Sequence, residues 1–177
     1  MKRGYILILL FIFVNGLNVN ASAQKRPESA SKKQWKVFFA SGVERKIKAS
    51  EKKLEKAIAE AREYLGTRHC MGGRSKKCID CSGLVVNAFE AAGLEVEGRT
   101  AQDLARFGKL VLNQKKLERG DLIFFTNTYR TDNLVTHAGI VIGDGKFIHT
   151  SSSKGVMISS YEGSGYWPDH FIFGTKL

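Results

Sequence analysis

The sequence predicts an α+β fold, with helices in its first half and an antiparallel β-sheet in its second. Up to about residue 107, apolar residues recur at helical spacing. After Gly120, short β-branched or aromatic runs are separated by Gly, Asp, Asn and Ser. A cysteine opens one of the helices, and histidines sit in two of the strands, so any chemistry they share must join the two halves.

The N-terminus reads as an export signal. Lys2 and Arg3 precede an apolar run from Tyr5 to Val14, and Ala21-Ser22-Ala23 offers a small-x-small cleavage site before Gln24. The apolar run is shorter than the roughly 20 residues that a membrane-spanning helix needs. No cysteine near the cut could accept a lipid. Residues 1–23 are therefore expected to be removed on export to the periplasm or cell exterior, leaving one domain's length of chain and no stable membrane span.

The whole chain holds 28 Lys+Arg against 17 Asp+Glu, a formal charge of +11. Outside a cell, such a charge suits wall polymers or membrane surfaces rather than nucleic acid. Much of it falls between Lys25 and Lys56, where a solvated tail and helix face account for part of it.

Residues 24–43 read as an extended N-terminal arm, in which Trp35, Val37, Phe38 and Phe39 favour β structure and pack part of it back on the domain. The domain proper spans 44–177. Ile47, Leu54, Ile58, Ala61 and Leu65 mark a helix over 44–65 with Gly66 at its stop. Leu84, Val85, Ala88, Phe89 and Ala92 form the buried stripe of a second helix, Cys81–Ala92, closed by Gly93. A short third helix covers Thr100–Phe107. Strands are expected at Asp121–Phe125, Ala138–Ile142, Lys146–Thr150, Val156–Ser160 and Phe171–Phe173.

Cys81, His137 and His149 supply a nucleophile, a base and a group to orient the base. At the first turn of a helix, free N–H groups and the helix dipole favour the thiolate and could hold an oxyanion. Gly143-Asp144-Gly145 can turn in two ways. A two-residue Asp-Gly turn pairs Gly143 with Lys146 and puts the histidines on opposite faces. A three-residue loop pairs Ile142 with Lys146 and sets His149 diagonal to His137 on one face, roughly 7–8 Å away at Cα. The second register also leaves Ile140, Ile142 and Ile148 facing the core, so it is the expected one.

From Tyr64 to Phe173 the sequence resembles the NlpC/p60 cell-wall peptidases, which are papain-like cysteine hydrolases. The matching pieces are Leu65-Gly66-Thr67, Gly72-Gly73, Asp80-Cys81-Ser82-Gly83-Leu84-Val85, Arg99-Thr100-Ala101-Gln102, Arg119-Gly120-Asp121-Leu122-Ile123-Phe124-Phe125, His137-Ala138-Gly139-Ile140, Phe147-Ile148-His149 and Tyr166-Trp167. The resemblance implies a papain-like fold with Cys81 as nucleophile, His137 as base and His149 as polar third member. It also implies that Asp80 and Ser82 hold the substrate's amino end. The implied substrate is a peptidoglycan stem peptide, cut between D-glutamate and a diamino acid by a monomeric enzyme without cofactor or metal. His69 stands where relatives commonly carry a tyrosine thought to serve the oxyanion site.

Cys70 and Cys78 replace residues that are not usually cysteine. In an oxidising compartment three cysteines leave one unpaired, and a working hydrolase needs that one to be Cys81. A Cys70–Cys78 disulfide is therefore expected, against a competing Cys78–Cys81 bridge that would cap the nucleophile. Cys78-Ile79-Asp80-Cys81 also reads as a thiol oxidoreductase motif, but neither Pro27 nor Pro168 lies in a loop suited to face it. A zinc site of His69, Cys70, Cys78 and Cys81 has unsuitable spacing. A catalytically inactive wall-binding module of the same fold is the remaining alternative.

Overall fold

The computed structural model describes residues 30–177. The signal-peptide reading of residues 1–23 lies outside them. The elements are α1 (Lys32–Ala40), α2 (Glu51–Arg62), α3 (Cys81–Ala91), α4 (Ala101–Leu104), β1 (Lys109–Val111), β2 (Leu122–Phe125), β3 (His137–Gly143), β4 (Lys146–Ser151), β5 (Gly155–Ser160), α5 (Tyr166–His170) and β6 (Phe171–Lys176). The six strands form one antiparallel sheet in the order β1-β6-β2-β3-β4-β5. This is the α+β architecture expected.

Alternation along the strands splits the apolar residues between two faces. Phe124, Ile140, Ile148 and Phe173 point toward the helices and bury Leu84, Val85, Ala88 and Phe89 of α3, with Ala57 and Ile58 of α2 behind them. Ile123, Phe125, Val141 and Phe147 point the other way and are covered by Tyr161, Trp167 and Phe171. The helix stripe and the strand alternation thus meet in one core.

Residues 32–40 are helical, contrary to the extended arm expected. Ser31 and Gln34 form a reciprocal capping box, a signal present in the sequence. Phe38 is wholly buried, its ring 5.6 Å from that of Phe173. The Arg106 guanidinium donates to the carbonyls of Phe38 and Gly42, at 3.0 and 2.9 Å, and closes the end of the helix. Burying a phenylalanine is worth about 1.5–3 kcal/mol, enough to override the local β preference.

The helix expected over 44–65 is shorter, because the chain is extended before Ser50. Glu44 has a left-handed φ of 55°, and Arg45 pairs with the segment after α4 through Arg106 O and Gly108 N. β1 and α5 were not anticipated.

The β3–β4 hairpin corrects the expected turn. Gly143 pairs with Lys146 across a two-residue Asp144-Gly145 turn, with φ of 53° and 64°. The register shifts between Val141 and Gly143, leaving Ile142 as a bulge, and Ile140 faces Ile148. The bulge adds the residue that the even turn lacks, so His137 and His149 still share a face. The face was read correctly and the turn was not. Gly139 lets the strands close here, since a Cβ on it would lie 2.5 Å from the Phe147 ring.

Candidate active site

Cys81 is the first residue of α3, and the residues around it hold that helix start in place. Asp80 caps the helix, with Oδ1 accepting from Gly83 N at 2.6 Å and Oδ2 accepting from Gly72 N at 2.7 Å. The Ser82 hydroxyl lies 2.9 Å from both Asp80 Oδ1 and the Arg99 carbonyl. Thr150 of β4 donates to the Asp80 carbonyl, which ties the helix start to the histidine-bearing strand. A Cβ on Gly83 would lie 2.3 Å from Gly73 O, so the Asp-Cys-Ser-Gly run needs its glycine.

Cys70 and Cys78 are joined in a disulfide, and Cys81 is the free cysteine. The bridge closes the loop whose Gly72 and Gly73 bond to Asp80. Because Cys78 is taken, it is not paired with Cys81. Among the described residues no group of three or more His, Cys, Asp or Glu is placed to hold a metal.

On the strands, His137 Nε2 is 3.1 Å from His149 Nδ1, and His149 Nε2 is 2.9 Å from the Ser159 hydroxyl on β5. With the His149 proton on Nε2, that hydroxyl accepts it. Nδ1 is then bare and accepts from His137 Nε2–H, which leaves a lone pair on His137 Nδ1. Trp167 stacks on His137 at 4.8 Å and meets His149 edge-on at 4.6 Å, while Phe147 stacks on His149 from below at 4.6 Å. His149 has no solvent exposure and His137 only 8%.

Cys81, His137, His149, His69, Asp80 and Ser82 all line one cleft of about 680 Å³. The structure therefore brings together the six cleft residues singled out from sequence. Ser159 was missed, because its place diagonal to His149 depends on the β4–β5 register, in which His149 faces Met157. Trp167 was noted only as part of a matching dipeptide, and its stacking role is tertiary.

The electrostatics differ from the expectation of a ready-made thiolate. The amides of Ala138, Ser82 and Cys81 favour the ionised sulfur, but burial outweighs them and pushes the thiol up to about 11. Burial also holds His137 well below 6.5, with His149 and His69 adding to the effect, and brings His149 down to about 4. Both shifts favour a neutral thiol and a neutral imidazole in the resting cleft.

A half-buried thiol at a helix start, lining one cleft with two paired imidazoles, is the side-chain set of a cysteine hydrolase on an α+β scaffold. The NlpC/P60 family model matches residues 66–175, and the chain belongs to that family. It is 36% identical over 125 residues to the probable endopeptidase NlpC homolog of Haemophilus influenzae, covering 70% of this chain and 63% of that protein. It is 39% identical over 110 residues to the murein DD-endopeptidase MepS/murein LD-carboxypeptidase of Escherichia coli K12, covering 62% and 55%. Against the gamma-DL-glutamyl hydrolase of Bacillus subtilis identity is 33% over 124 residues, covering 70% and 30%. Among solved structures, an NLP/P60-family protein similar to a lipoprotein from Staphylococcus aureus matches with a TM-score of 0.62 and 30% identity, over 76% of this chain and 43% of that one. The chain spans less than two thirds of the length of these relatives.

Proposed function

We propose that the chain is an exported cysteine peptidase that hydrolyses an amide bond in peptidoglycan stem peptides. One observation carries the reading: Cys81, His137 and His149 line a single cleft, with the two imidazoles 3.1 Å apart. Family membership and relatives named as murein and γ-DL-glutamyl hydrolases support the substrate class.

His137 Nδ1 takes the thiol proton as the sulfur attacks the scissile carbonyl carbon. The carbonyl π pair moves to oxygen, where the Cys81 and Ser82 amides at the start of α3 and the His69 side chain would meet it. His137 then returns the proton to the departing amine as the C–N bond breaks. Water, deprotonated by His137, cleaves the thioester and restores the thiol. His149 holds the ring in the tautomer this cycle requires, and no cofactor takes part. Asp80 and Ser82 shape the floor; a role toward the substrate's amine would draw on lone pairs left over from their internal bonds.

The bond assigned is the one between D-glutamate and the diamino acid, with export following from residues 1–23. Mass spectrometry of muropeptides digested by the mature protein tests the assignment. New termini at D-glutamate, absent with Cys81→Ala, support it. Termini at the D,D cross-link instead would move the specificity to the other bond represented among the relatives. Intact muropeptides would return the chain to the inactive wall-binding alternative.

A further inference from the structure

Two cations line the cleft without an acidic partner among the described residues, Arg99 and Lys154. The ion pairs Arg74–Glu90, Arg119–Glu55 and Lys176–Glu118 all lie outside this cleft. The lining contains one carboxylate, Asp80, and it already accepts from Gly83, Gly72 and the Ser82 hydroxyl. The groups still open to a ligand's charge are therefore positive.

Both cations are fixed at the backbone and uncommitted at the side chain. Arg99 N donates to Asp103 and its carbonyl faces the Ser82 hydroxyl, which holds it between α3 and α4. Lys154 N donates to the Ser151 hydroxyl. The next residue, Gly155, presses so closely on Thr67 that a Cβ would lie 2.3 Å from its carbonyl oxygen. That close approach sets the turn against the segment that carries His69 and Met71 into the cleft wall. The two residues thus line the cleft from different elements, Arg99 beside the Ser82 end of α3 and Lys154 from the β4–β5 turn.

We propose that Arg99 and Lys154 each engage one free carboxylate of the substrate, so that the enzyme selects wall peptides whose D-glutamate and diamino acid bear carboxylates over peptides in which these are carboxamides. This rests on the peptidase reading above and adds the charge of its substrate. A carboxamide still offers an acceptor oxygen, but it forfeits the charge-assisted part of the bond. At a partly exposed site that is a loss of about three- to tenfold per group.

The test uses four synthetic stem peptides: both carboxylates free, each one amidated singly, and both amidated. For the mature protein, kcat/KM is read by chromatography of the products, and affinity by calorimetry on Cys81→Ala. Each amidation should cost about three- to tenfold, through KM and through affinity, and the cost should shrink as ionic strength rises. Arg99→Gln should erase the discrimination at one position and Lys154→Gln at the other. A flat series in turnover and affinity, or discrimination that survives both substitutions, would overturn the proposal while leaving the peptidase standing. If no peptide is cleaved, the peptidase reading fails alone, because affinity for Cys81→Ala still reports whether free carboxylates are selected.

Discussion

His137 Nε2 and His149 Nδ1 face each other at 3.1 Å, and the second ring is itself held by Ser159. His137, the proposed base, is thus held through His149 and Ser159 on the two neighbouring strands, and each link has a measurable consequence.

Cys81→Ala should lower wall-peptide turnover by at least about 1,000-fold, the scale seen when a nucleophile is removed from a catalytic unit. The change deletes one sulfur at a half-buried position, so the melting temperature should shift little. Turnover within tenfold of wild type would refute the mechanism.

His137→Ala should cost about as much as loss of the thiol. His149→Gln should be milder than His149→Ala, because its amide oxygen can accept from His137 Nε2–H. Ser159→Ala should cost roughly the energy of one hydrogen bond, about fivefold, with partial rescue by Ser159→Thr. The His149 variants should alter the pH profile of kcat/KM. Equal losses in His149→Gln and His137→Ala would mean that His149 does more than orient.

The pH dependence follows from two shifts of opposite sign. His137 must be neutral to act as base, and its proton affinity lies well below the usual 6.5. Activity should therefore hold between pH 8 and about 6.5 and fall only on further acidification. The thiol is pushed up to about 11, so alkylation of the free enzyme by iodoacetamide should be slow near neutrality and rise steeply toward that value. Fast alkylation at pH 7 would instead reveal a preformed thiolate–imidazolium pair.

The loop 126–136 carries Thr128 and Tyr129 into the cleft wall. Tyr129 also lines a second groove of about 740 Å³ between this loop and α1. Tyr129→Ala should raise KM several-fold or shift the preferred muropeptide with little change in kcat. Identical kinetics across several stem peptides would make the loop a plain solvated connection.

Replacing Cys70 and Cys78 by serine should cost about 2–3 kcal/mol from loop closure. Activity should fall more than that cost alone would cause, because the loop's Gly72 and Gly73 hold Asp80 at the start of α3. Peptide mapping of the non-reduced protein checks the pairing, and a Cys78–Cys81 peptide would overturn it.

The sequence by itself determined the succession of helices and then an antiparallel sheet, the helix beginning at Cys81 and the face shared by the histidines. These follow from short-range periods, 3.6 in the stripe Leu84, Val85, Ala88, Phe89 and 2 along His137–Val141, which the chain must obey to bury its apolar residues. Only the tertiary structure decided the rest. Trp35–Phe39 favour a strand locally, yet form a helix because Phe38 and Arg106, remote in sequence, supply its burial and its end. Gly143-Asp144-Gly145 fits either turn, and the bulge at Ile142 settled which one forms. Ser159 meets His149 only through the β4–β5 register, and the thiol lost its expected acidity to the packing around it. Burial and cross-strand contact are properties of segments far apart in the chain, so no local pattern encodes them.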